Sequence, residues 1–268
     1  MSAEDKPTIL DLNYDRTGAP FVELVESIES ENLKAVAVEH AREVEILHEG
    51  LNCLYAMASE FAWLFNAPHI AYLNKANTIL FSTLHKNLVA LYTSLKLTRM
   101  GLYGPARSIL RHAYEALLVA KYCSLSHDVQ IYEKWKGGDV VYLTNGVLKK
   151  IKKPGIEAFQ DFWSLMSNYS HATIYAQQVE MNIKSVPDEV PLNLVYLRIL
   201  LDCQYHLLSS HLITPSMQYY TKRYRRDPDP LPAQRSKMRR LLAESRKDLL
   251  DLPKEIIRNY RATWALVE

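Results

Sequence analysis

Residues 78–122 read TILFSTLHKNLVALYTSLKLTRMGLYGPARSILRHAYEALLVAKY. Apolar side chains recur at three- and four-residue intervals on both sides of the central GLYGP, which is the spacing of amphipathic helices rather than strands. Gly101 and Gly104 supply a turn, and Pro105 suits a first helical position because its missing N–H needs no partner there. The stretch therefore predicts a helix over about 70–100, a sharp reversal, and a second helix over about 105–124. Upstream, Leu24, Ile28, Leu33, Val36, Val44, Leu47, Leu51 and Leu54 fit one or two long amphipathic helices over 21–66, which Gly50 weakens only locally. Ala67-Pro68 ends that unit, because a residue before proline is pushed out of helical geometry.

Downstream, the pattern predicts a shorter helix from Ser126 to Trp135, a Gly137-Gly138 break and a mixed segment over 140–151. Pro154-Gly155 closes that region, a helix follows over 157–168, and Ser170 is placed to cap a further short one. A long buried helix spans about 190–211, with Pro215 kinking or ending it. The connector DPDPLP (residues 227–232) precedes a final helix or helix pair over 233–267. No internal repeat of 30–45 residues is visible. The expected fold is all-α: a single-domain antiparallel helical bundle over residues 19–268, preceded by a flexible N-terminal segment over 1–18.

Composition narrows the class further. Of the 268 residues, 48% are apolar and 23% charged, which excludes wholesale disorder and collagen-like order. Eight glycines are too few for a sandwich or barrel with many tight turns. Cys53, Cys123 and Cys203 are odd in number, distant and set among apolar neighbours, so they predict reduced core thiols rather than a disulfide framework or an all-cysteine metal site. The start, MSAEDKPTILDLNYDRTG, has no apolar h-region. His85 and Lys86 interrupt the apolar run over 78–97, and Arg198, Asp202 and His206 interrupt that over 190–213. Neither offers the roughly 18 clean apolar residues of a membrane span. A soluble, cytoplasmic protein is expected.

Charge is unevenly spread. Residues 1–60 carry 13 acidic and 4 basic side chains, whereas residues 222–247 carry 10 basic and 3 acidic. The contrast is compatible with a polyanion surface, or with two faces that attract each other within one chain or across a homodimer. Arg223, Arg225 and Arg226 interleave with Tyr219, Tyr220 and Tyr224, a pattern suited to clamping single-stranded nucleic acid and equally to a helix end with tyrosines packed inward.

Two segments carry candidate chemistry. In ARSILRHAYEALLVAKY (residues 106–122), Arg107, Arg111 and Glu115 follow at i, i+4 and i+8 and share one helix face. Glu115 is the only carboxylate between Glu60 and Asp128. A carboxylate kept in so apolar a stretch needs a partner, and Arg111 is one turn away. The pair reads either as a structural ion pair or as a polar pocket in which Arg111 meets an anion. In FWSLMSNYSHAT (residues 162–173), Ser167, Ser170 and His171 crowd a helix end. His171 is the natural acid–base candidate, because its ordinary pKa lies near neutrality. The alternative is a cap and a satisfied turn.

The two segments together resemble an uncharacterised helical family related to the HEPN superfamily, whose relatives carry an Arg-x-x-x-Glu helix and a later Ser-x-x-x-His motif. Arg111 and Glu115 match the first motif, Ser167 and His171 the second, and the resemblance covers about a third of the chain, residues 88–176. It implies a helical, dimeric protein that interacts with RNA or a nucleotide, of defence or toxin–antitoxin type. HEPN ribonucleases cleave RNA without metal, an arginine stabilising the phosphate while a histidine moves the 2′-hydroxyl proton. Their Arg-x4–6-His spacing is not kept here: Met166 stands five before His171, and no arginine or lysine lies between Lys153 and Lys184. A catalytic pair would draw Arg111 or Arg107 from the other helix. The resemblance thus implies Arg111, Glu115 and His171 as catalytic candidates, with Arg107, Ser167, Ser170, Arg223, Arg225 and Arg226 as binding candidates. No cofactor is expected. The other classes are a non-enzymatic assembly module and, remotely, a metal-binding bundle built on Glu45 and His48, for which a second Glu-x-x-His pair is missing.

Overall fold

The structure is a computed structural model and describes residues 20–66, 75–126, 128–138, 189–216, 218 and 232–249. Among these there are seven α-helices and no strand, as the periodicity predicts: α1 (Phe21–Glu39), α2 (Ala41–Asn66), α3 (Lys75–Arg99), α4 (Tyr103–Ser126), α5 (Gln130–Lys136), α6 (Glu189–His206) and α7 (Pro232–Leu249). A π-helical segment, Leu207–Ile213, continues α6. The amphipathic stretch over 21–66 resolves into two helices that break at His40. The segments over 140–151 and 157–168, the cap at Ser170 and the end of the chain beyond 249 lie outside the described residues, as does the N-terminal segment over 1–18.

The reversal between α3 and α4 is tighter than the GLYGP reading. Gly101 alone has a positive φ there, +86°. Leu102 N–H donates to Leu97 O at 2.9 Å and Gly101 N–H to Thr98 O at 3.1 Å, the paired bonds of a Schellman end. Gly104 and Pro105 already lie in the first turn of α4, two residues earlier than the proline signal suggested. Pro105 is tolerated because the first helical N–H groups have no intrahelical partner. Asn32 of α1 donates from Nδ2 to Met100 O at 3.4 Å and closes over the turn.

From this turn the two helices run back along each other with a regular seam. On α3 the buried residues Leu80, Leu84, Asn87, Leu91, Ser94 and Thr98 alternate steps of four and three. On α4, Tyr103, Ala106, Leu110, Ala113, Leu117 and Ala120 do the same. That is the spacing of a coiled-coil interface. Alanine at every second α4 position brings the backbones close. Ser94 Oγ then donates to Ala106 O at 3.0 Å and Asn87 Nδ2 to Ala113 O at 2.9 Å. The two bonds lie seven residues apart on each helix and run in opposite senses, so they hold the antiparallel register.

The remaining helices pack around this hairpin. Phe61 of α2 meets Phe81 of α3 with ring centroids 5.1 Å apart, while His48 lies toward Arg99, so α2 and α3 are antiparallel. Arg107 of α4 reaches Asn193 at the start of α6, and Lys121 lies near Cys203 further along, so α4 and α6 run in parallel. Helix α7 crosses back along α2, burying Met238 and Leu241 in the common core. Helices α2, α4 and α6 thus point one way, and α3 and α7 the other.

Gly50 is not the local weakness its helix position suggests. A Cβ there would lie 2.4 Å from Leu201 Cδ2 and 3.4 Å from its Cγ, and Leu201 is itself buried. The missing side chain is what lets α2 approach α6. We expect Gly50→Ala to destabilise the protein by about 1–3 kcal/mol through overpacking, despite the gain of about 1 kcal/mol in helix propensity. Urea denaturation of the two proteins measures the sign.

Candidate functional site

The polar residues of α4 divide between core and rim. Arg107, Arg111 and Glu115 follow at four-residue steps, but four residues carry a helix about 40° past a full turn. The stripe therefore rotates from inside to outside. Arg107 is wholly buried. Its Nε donates to Asn193 Oδ1 at 2.6 Å, and its Nη2 pairs with Glu189 Oε2. Asn193 Nδ2 in turn donates to Thr98 Oγ1 at 3.3 Å, which links α3, α4 and the start of α6. An arginine used in this way braces the bundle, and none of its side chain is exposed.

Arg111 and Glu115 do come together, as their spacing predicts. Arg111 Nε donates to Glu115 Oε1 at 2.9 Å, and the two side chains keep 17% and 16% of their exposure. One residue on, His112 is exposed, and its ring stacks on Trp135 of α5 with centroids 5.6 Å apart. The result is an oriented guanidinium at the edge of the bundle, with an aromatic stack that begins at the next residue of the helix. Ser167, Ser170, His171, Arg223, Arg225 and Arg226 all lie outside the described residues.

Further charged residues are buried on α4 and α6, among them Asp202, which with His206 is the weak substitute for a second Glu-x-x-His pair. Lys121, Arg198 and Asp202 are all buried. Asp202 Oδ1 lies 3.3 Å from His206 Nε2. Burial drives the Cys203 thiol well above its ordinary range; Asp202 pushes it the same way and Lys121 opposes. Burial likewise raises Cys123, to about 11. All three cysteines are free and buried, as their apolar settings predict, and protonated thiols of this kind are poor nucleophiles. The signal for the buried charges was present: Arg198 and Asp202 interrupt an apolar run at i, i+4, as Arg111 and Glu115 do.

Acidic and basic ends of the chain meet within it. Lys237 of α7 lies 3.5 Å from Glu49 of α2, and Arg42 of α2 meets Glu244 of α7 at 2.7 Å. Both pairs are exposed and contribute little; α7 is held mainly by Met238 and Leu241. His48, one half of the Glu-x-x-His pair, is pushed below the usual histidine range, first by burial and then by the charge of Arg99. Among the described residues no three His, Cys, Asp or Glu side chains gather at metal-binding spacing. No helix among them is long and apolar enough to cross a membrane.

The chain matches no family model, and no curated protein or solved structure shows significant similarity to it.

Two expectations follow from these positions. Arg107→Ala leaves Glu189 and Asn193 without their buried partner and costs about 3–5 kcal/mol, whereas Arg111→Ala at the rim costs about 1 kcal/mol or less; denaturant midpoints of the two variants separate the roles. His48 gives up its proton more readily in the folded chain than in the unfolded one. Its contribution to stability is thus present above the ordinary histidine pKa of 6.5 and is lost as pH falls below it. Thermal melts between pH 5 and pH 8 check this, and the slope flattens in His48→Gln.

Proposed function

We propose that this is a HEPN-like helical protein that engages RNA or a nucleotide, with Arg111 as its phosphate-facing group. The observation that carries the reading is the rim of α4. Of the two arginines that sequence nominates, Arg107 is sealed in the core, while Arg111 is partly open to solvent and held in one orientation by Glu115. A guanidinium is the side-chain group whose planar donors match the oxygens of a phosphate, and Glu115 fixes how this one is turned. The adjacent His112–Trp135 stack supplies an aromatic face on which a base can lie.

In this reading His171 supplies the proton transfer. It takes the proton of a ribose 2′-hydroxyl, the 2′-oxygen attacks the neighbouring phosphorus, and the bond to the 5′-oxygen of the next nucleotide breaks as that oxygen takes a proton from water. Arg111 stabilises the charge that builds on the phosphate oxygens. Ser167, Ser170, Arg223, Arg225 and Arg226 extend the binding surface.

The test is a gel of structured and single-stranded RNAs incubated with the full chain, in chelator and at two salt concentrations. Wild type is compared with Arg111→Ala and His171→Ala. Chelator-resistant cleavage, lost in both variants while each keeps the wild-type melting profile, is the expected result. Cleavage that survives both substitutions overturns the residue roles. A chain that neither binds nor cleaves RNA or nucleotide overturns the reading and leaves assembly as the working function.

A further inference from the structure

Helix α6 does not end at His206. It widens into the π segment Leu207–Ile213, where Thr214 N–H donates to Ser209 O, five residues back. Pro215 accounts for the widening: it has no N–H to give to His211 O, and in an α-helix its ring collides with that carbonyl. Such segments are poorer helices than the α form, and they recur at functional sites.

Two arginines of α7, one turn apart, meet this region. Arg235 Nη2 donates to Ser209 Oγ and to Thr214 Oγ1, each at 3.1 Å. Arg239 Nε donates to Tyr205 Oη at 3.1 Å, and the side chain is otherwise exposed. A hydroxyl orients a guanidinium without cancelling its charge, unlike a carboxylate. Arg240 is exposed next to Arg239, whereas Lys237, two residues from each arginine, lies on the far side of α7 toward Glu49 of α2. Of the nearby acids, Glu244 is engaged by Arg42, and Glu49 lies 3.5 Å from Lys237. The steps of four residues place Arg235 and Arg239 on one side of α7, while Met238 and Leu241 anchor the other in the core.

We propose that the rim where α7 crosses the end of α6 is a binding surface for a chain of phosphates, such as the backbone of single-stranded RNA. Arg239 is the contacting guanidinium and Tyr205 its positioning residue. Arg235 ties the π segment to α7, and Arg240 flanks the track. The inference rests on the RNA reading above and adds to it a second surface, distinct from the α4 rim around Arg111. The first surface orients one phosphate, whereas this one holds the strand through charge alone.

The experiment measures binding of a labelled oligouridylate and, separately, of inorganic polyphosphate to the full chain across a salt series. Wild type, Arg239→Gln/Arg240→Gln, Tyr205→Phe and Arg111→Ala are compared, with melting profiles to confirm folding. The expected result is that Arg239→Gln/Arg240→Gln weakens both ligands, and that the slope of log affinity against log salt falls by about 0.7 for each cation removed on the single strand. Tyr205→Phe weakens both ligands less; wild-type binding in that variant overturns the positioning role. RNA binding unchanged in Arg239→Gln/Arg240→Gln overturns this surface and leaves the Arg111 reading standing. Polyphosphate bound through α7 with RNA ignored keeps the surface and removes the RNA reading. Failure to bind either polyanion overturns the surface, and cleavage by the wild type still decides the other reading separately.

Discussion

Arg107 is closed off from water where three helices meet, and its guanidinium is shared between Asn193 and Glu189 on α6 while Asn193 passes the link to Thr98 on α3. Burying a cation in an apolar bundle is costly, and only a full set of partners offsets it. Those partners sit on α6 and, through Asn193, on α3, so the cost is met in one arrangement of the bundle and in no slipped one. Hydrophobic packing alone is less selective, since Leu, Ile and Val tolerate many registers. The start of α6 is held against the hairpin by this polar junction.

The α3–α4 hairpin follows the same logic with smaller groups. Its seam alternates large apolar residues with Asn87, Ser94 and Thr98 on one side and with alanines on the other. The alanines bring the backbones near enough for short side chains to reach carbonyls across the interface. Each carbonyl already accepts a helical N–H and uses its second lone pair for the cross-helix bond. A slip of one seam position would put Leu110 or Leu117 where an alanine now stands and leave these donors unsatisfied, a loss of about 1–3 kcal/mol each. Gly50 makes the equivalent accommodation between α2 and α6, where the missing Cβ is filled by Leu201.

These constraints leave the functional candidates at the edges. Arg107, deep in α4, is committed to holding helices together, whereas Arg111, Glu115 and His112 at its rim keep contact with solvent. The same division recurs on α7: Met238 and Leu241 dock the helix, and the arginines beside them stay outside with hydroxyl partners. The charge contrast between the two ends of the chain is partly answered within the molecule, yet in mixed sense. Lys237 pairs with an acid of the acidic segment, but Arg42 of that segment pairs with Glu244 of the basic block. Segment net charge did not foretell either pair, because ion pairs form between neighbouring side chains rather than between averages.

The amino-acid sequence by itself determined the all-α class, the positions of α3, α4 and α6 to within a few residues, the reversal at Gly101, the buried reduced cysteines and the pairing of Arg111 with Glu115. Each of these is local: apolar periodicity, a glycine that accepts positive φ, or a contact four residues away on the same helix. Only the tertiary structure decided that Arg107 braces α4 against α6, that Gly50 is a contact rather than a flaw, and that Lys121, Arg198 and Asp202 are all buried. It also decided that α6 widens before Pro215 to meet Arg235. In those cases the deciding partner lies on another helix, tens of residues or more away, and spacing along one chain carries no information about which faces meet. Arg107 and Arg111 are equivalent in sequence, four residues apart in one stripe; the 40° that separates them on the helix became core and rim only when α6 was laid against one side.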